Sequence, residues 1–102
     1  MTTIGRGTTP TNYFDVDVDL TDAVTIFITY QQSGITVVEK SIDDIEVTPE
    51  RLFVNLTQRE TLRFAQVGKI KMQIRAGFAD DSRLISNIMT APVEKILKEG
   101  VI

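Results

Sequence analysis

The strongest constraint in this sequence is an alternation of period two. From Lys69 to Gly77 the chain reads KIKMQIRAG, with Ile70, Met72, Ile74 and Ala76 at every second position and Lys69, Lys71, Gln73 and Arg75 between them. A helix would scatter these apolar residues around its axis, whereas a strand collects them on one face, so the segment predicts a half-buried β-strand. TIFITYQQ carries the same signal in β-branched and aromatic residues, with Ile26, Ile28 and Tyr30 on one face. QQSG (Gln31–Gly34) then supplies hairpin-turn chemistry, and ITVVEKS returns as the partner strand.

Further strands follow from the same rule. YFDVDVDL sets Phe14, Val16, Val18 and Leu20 against Asp15, Asp17 and Asp19, and predicts one strand that ends at the Thr21–Asp22 turn. Ile45–Val47 reads as a short strand, RLFVNL puts Leu52, Val54 and Leu56 on a single face, and LISNIMT is the last strand. Thr57 and Glu60 form a capping box that predicts a helical turn over Gln58–Phe64, with Leu62 as its inward anchor. Six or seven short strands separated by turns predict an all-β fold, an antiparallel β-sandwich of immunoglobulin-like architecture. Its Cys-Trp-Cys core is missing, because the chain has neither Cys nor Trp.

Two ends flank that domain. Residues 1–11 have no period and predict an extended arm before a sandwich spanning 12–90. In residues 91–102, Pro92 suits a first helical turn, Glu94 and Lys98 form an i,i+4 pair, and Gly100 suits a C-cap, which predicts a short C-terminal helix. Val93, Ile96, Leu97, Val101 and Ile102 give it an apolar side that needs a surface to pack on.

The chemistry is sparse. Without His or Cys, the common nucleophile-base pairs and the usual zinc sites are excluded, which argues against an enzyme and calls for no cofactor or metal. An EF-hand starting at Asp15 would need glycine and glutamate where Leu20 and Ile26 stand. Spread over about 13 Å of extended chain, Asp15, Asp17 and Asp19 are too far apart for all three to bind one ion, so they read first as a solvated face, with charges that keep a sheet edge from pairing and a weak cation site as the alternatives. No segment has the apolar length of a membrane span, and the acidic balance disfavours nucleic acid.

Charge is distributed unevenly. Residues 1–50 hold nine acids and two bases (−7), and residues 51–102 hold five acids and nine bases (+4), which sum to −3. Such polarity suits a head-to-tail contact, with Lys69, Lys71 and Arg75 facing aspartates of an adjacent strand or subunit.

RGTTPT (Arg6–Thr11), VNLTQRETLRF (Val54–Phe64), KIKMQIRAGFADDSRLISNIMT (Lys69–Thr90) and the ending EKILKEGVI resemble a group of small bacteriophage and prophage proteins of Gram-positive hosts. The resemblance covers nearly the whole chain, and the middle part is also similar to the N-terminal β-sandwich of phage baseplate upper proteins. It implies a virion structural protein, an assembly, adaptor or decoration domain whose partners are other virion proteins or copies of itself. The alternative is a receptor- or carbohydrate-binding module of a tail or baseplate. Ile4 and Arg6 in the arm, the apolar tail residues and the three basic strand residues are the candidate contacts.

Overall fold

The computed structural model describes residues 4–5, 8–64, 69–86 and 88–94. They form nine strands: β1 (Ile4–Gly5), β2 (Thr11–Asp15), β3 (Thr25–Gln32), β4 (Ile35–Ser41), β5 (Ile45–Val47), β6 (Arg51–Asn55), β7 (Lys69–Gly77), β8 (Arg83–Ile85) and β9 (Met89–Glu94). A 3-10 turn (Ile42–Asp44) precedes β5, and a single helical turn, α1 (Gln58–Thr61), follows β6. The larger sheet runs β1-β9-β7-β3-β4 with β8 also on β7, and the smaller runs β2-β6-β5. Pairing is antiparallel throughout except for β1 with β9. This chain order across two facing sheets is that of an immunoglobulin-like sandwich.

The alternation decides the core. Ile26, Ile28 and Tyr30 of β3 and Ile70, Met72 and Ile74 of β7 face Phe14, Leu52 and Val54 of the smaller sheet and Leu56 just after it, and all are buried. Disulfide-bearing relatives of this architecture join the two sheets through cystine beneath a buried Trp. Here Tyr30 is the largest fully buried side chain, and its hydroxyl accepts a hydrogen bond of 3.0 Å from Asn12 Nδ2 across the sheets. Phe64 packs beside its ring at 6.2 Å between centroids.

The β3–β4 hairpin forms where expected. Ser33 (φ 55°) and Gly34 (φ 77°) both take the left-handed conformation that a two-residue type I′ turn requires. The capping box forms too: Thr57 Oγ1 accepts from Glu60 N at 3.1 Å, and Glu60 Oε1 accepts from Thr57 N at 2.9 Å. The same carboxylate oxygen lies 2.7 Å from Lys40 Nζ, which ties α1 to β4. Leu62, the expected anchor, is only half-buried, because the turn is short and rotates Thr61 and Phe64 inward instead.

Three expectations are corrected. First, β2 stops at Asp15 rather than continuing to Leu20, because its partner β6 begins at Arg51 and the Asp15–Arg51 pair is the last in the ladder. Alternation indicates which way side chains would face, and it cannot say whether a neighbouring strand is there to pair. Second, residues 8–11 are not a free arm. Thr61 Oγ1 donates to the Thr8 carbonyl at 2.8 Å, Leu56 N donates to the Pro10 carbonyl at 3.0 Å, and Ile4–Gly5 pair with Val93–Glu94. Third, Ala91–Glu94, expected to open a helix, belong to β9, because β7 offers them a ladder and Ala91 is small enough to bury completely against it. Pro92, which has no N–H to contribute, sits at the end of that ladder opposite Lys69.

β8 and β9 lie along the same edge of β7: β8 pairs Ile85 with Arg75, and β9 pairs Met89 with Met72. Ser86, which follows β8, is tied to β7: its N–H donates to the Ile74 carbonyl (2.8 Å) and its Oγ accepts from Ile74 N (2.9 Å).

Candidate interaction surfaces

The outer face of the larger sheet carries the basic residues where the alternation puts them. Lys69, Lys71 and Arg75 are exposed on β7, and across the ladder Arg75 faces Phe27 and Gln73 faces Thr29. The Arg75 guanidinium lies over the Phe27 ring at 5.7 Å, a cation-π contact across the ladder. Beside it, Lys71, Gln73, Arg75, Glu39 and Ile88 surround a depression of about 300 Å³. Its polar groups serve one another: Thr29 Oγ1 donates to Glu39 Oε2 at 3.0 Å, and Gln73 Nε2 donates to the Ser86 carbonyl at 3.1 Å. Such a surface can bind an acidic or polar partner.

The acidic row separates into distinct roles. Asp15 pairs with Arg51 at 2.6 Å, and that guanidinium also lies 4.6 Å from the centre of the Tyr13 ring. Asp19 accepts from both the hydroxyl (2.7 Å) and the N–H (2.9 Å) of Thr21, which hold its carboxyl below the usual carboxylate range. Asp17 stays exposed between them. Among the described residues this row starts on the other sheet from Lys69, Lys71 and Arg75, because the strands beside β7 are β3, β8 and β9 rather than β2. Among the described residues no three metal-ligating side chains cluster.

A second surface was not expected from the sequence. Where the chain leaves β2 at Asp15, it crosses the open side of the sandwich, and between it and β7–β9 lies an apolar cleft of about 420 Å³. Leu20, Ile74 and Ala76 form its buried floor, while Val18 (49% exposed), Leu84 (38%) and Ile85 (67%) stand at its rim with Asp15 and Asp17. Alternation puts Val18 on the apolar face of a strand, and the end of β2 leaves it at this rim. The signal that could have revealed the cleft was Leu84–Ile85, adjacent apolar residues directly after a polar turn, one of which must point outward on a strand.

Ile4 and Val93 are register partners in the β1–β9 pair. Arg6, Ile96, Leu97, Val101 and Ile102 lie outside the described residues.

No protein-family model matches this sequence, and no curated protein does. Among solved structures, it is similar to the immunoglobulin-like domain of mouse leukocyte-associated immunoglobulin-like receptor 1 in a strand-swapped dimer. The identity is 15% and the TM-score 0.47, over 89% of this chain and 84% of that one. It is also similar to the V domain of amphioxus IgVJ-C2, at 15% identity and a TM-score of 0.38, over 92% of this chain and 99% of that one.

Proposed function

We propose that this chain is a bacteriophage virion structural protein, an assembly, adaptor or decoration domain that works in the particle by protein-protein contact and not as an enzyme. The observation that carries the reading is the pair of surfaces of opposite character on one small domain. A basic sheet face with an exposed Ile88 and an acid-rimmed apolar cleft are suited to different neighbours, or to unlike faces of the same neighbour. The motif resemblance supplies the setting.

A carbohydrate-binding role would call for a bare aromatic ring on which a sugar could stack. Of the rings on the outer faces, Tyr13 and Phe27 each lie under an arginine, and Phe53 is half-buried beside Tyr13, so the most exposed of them is already covered, which favours protein contact instead.

The test is to purify particles from a culture carrying the gene and to quantify the chain against the major capsid and tail proteins by mass spectrometry. A fixed stoichiometric ratio to one of them supports the role. A chain found only in the particle-free lysate would refute it.

A further inference from the structure

We propose that the apolar cleft is the receiving site for residues 95–102 of a second copy of this chain. Ile96 and Leu97 fill its floor, and Lys95 and Lys98 lie against Asp15 and Asp17 at its rim. The inference rests on the assembly reading and names its receiving surface.

Chemical complementarity is the first argument. The cleft combines an apolar floor, partly exposed apolar walls and a carboxylate rim. The stretch Asp15–Asp22 that forms one side contains four aspartates and no base. Residues 95–102 offer the matching pattern, an Ile96–Leu97 pair flanked by Lys95 and Lys98, with Val101 and Ile102 beyond. Val18, Leu84 and Ile85 gather half-exposed apolar surface at one place on a small domain, as docking sites do.

Reach is the second argument, and for the Ile96–Leu97 pair it selects the second copy over the chain itself. Met89, the first residue of β9, lines the cleft. From there β9 runs away from it, since Met89 pairs with Met72 and Pro92 with Lys69 while the cleft uses Ile74 and Ala76. Glu94 is therefore about 17 Å along the strand from the cleft's near edge. Leu97 can lie at most about 11 Å from Glu94 even in extended chain. The Ile96–Leu97 pair cannot return to its own cleft, whereas a neighbour's pair can enter it.

The experiment measures the self-association of the full chain by sedimentation velocity over a range of concentrations. It compares wild type with Val18→Glu and Leu97→Glu, and with Asp17→Lys, Lys98→Glu and the combination of those two. The expected result is association in the wild type, weakened about tenfold or more by each apolar substitution. Each single charge reversal weakens it, and the double reversal restores it. The restoration matters most, because Asp17 is exposed and loss of fold could not be repaired by a second change in another segment. A wild type that stays monomeric throughout, or a double reversal no stronger than its parents, overturns the proposal. Finding a monomeric chain at fixed ratio in particles would remove this inference and leave the assembly role. Absence from particles would remove the role while the self-association is still read directly.

Discussion

Lys40 brings a formal charge into the sandwich, at only 9% exposure, and its ammonium is satisfied by Glu60 at 2.7 Å. Burial pushes the Glu60 carboxyl up, but hydrogen bonds from Lys40 and the Thr57 N–H, with the charge of Lys40, outweigh it and hold the group below its ordinary 4.5. A carboxylate with a depressed folded-state pKa contributes stability that is complete above the unfolded value and is lost as pH falls through the folded one. Glu60→Gln should therefore cost about 1–2 kcal/mol near neutral pH, since it leaves Lys40 buried without its counter-charge. In more acidic solution, through and below the carboxylate range, the difference from wild type should shrink. Urea midpoints of the two proteins across that range would show it, and a gap that did not narrow would mean that the pair contributes no linkage. Glu60 was legible in the sequence as the third residue of a capping box, a local pattern. Its tie to Lys40 was not, and neither was the Asn12–Tyr30 bond, because both join residues that only the folded sandwich brings together.

At the scale of elements, those encoded locally were readable: the type I′ turn at Ser33–Gly34, the alternation of β7, and α1. Those that depend on a partner were not. β2 ends where β6 begins, and β9 forms because β7 has an edge to fill, although Pro92 and the Glu94–Lys98 spacing favour a helix locally. The basic face was legible for the same reason as β7 itself, while the cleft was not, because it arises where β2 stops. The boundary at β9 can be tested by truncation. A chain ending at Glu94 should unfold at the same urea midpoint as the full chain when both are monomeric, within about 0.5 kcal/mol. A chain ending at Thr90 loses Ala91, fully buried, together with the backbone partners of Lys69, Ile70 and β1, and should lose roughly 3 kcal/mol or more. Destabilisation of the monomer by the first cut would place the tail on its own domain.

For the whole molecule, the direction of β9 fixes the kind of assembly this chain can build. The cleft lies beside the start of that strand and residues 95–102 follow its end in sequence, so the proposed donor and acceptor are separated by the length of β9. A contact between unlike surfaces placed in this way is heterologous, and it propagates into a ring or an open row unless two copies exchange tails reciprocally. Wild-type protein should thus grow past a dimer as its concentration rises. A chain ending at Glu94 keeps the cleft and lacks the tail, while Val18→Glu keeps the tail and spoils the cleft, so each alone should remain monomeric. Mixed, they have one good tail and one good cleft between them and should form a one-to-one complex that grows no further, measurable by sedimentation. A wild type that stops at two would indicate reciprocal exchange, and a mixture that forms nothing would show that tail and cleft do not meet. Growth in the wild type with arrest at the pair in the mixture requires that one end of each copy grips the other end of the next.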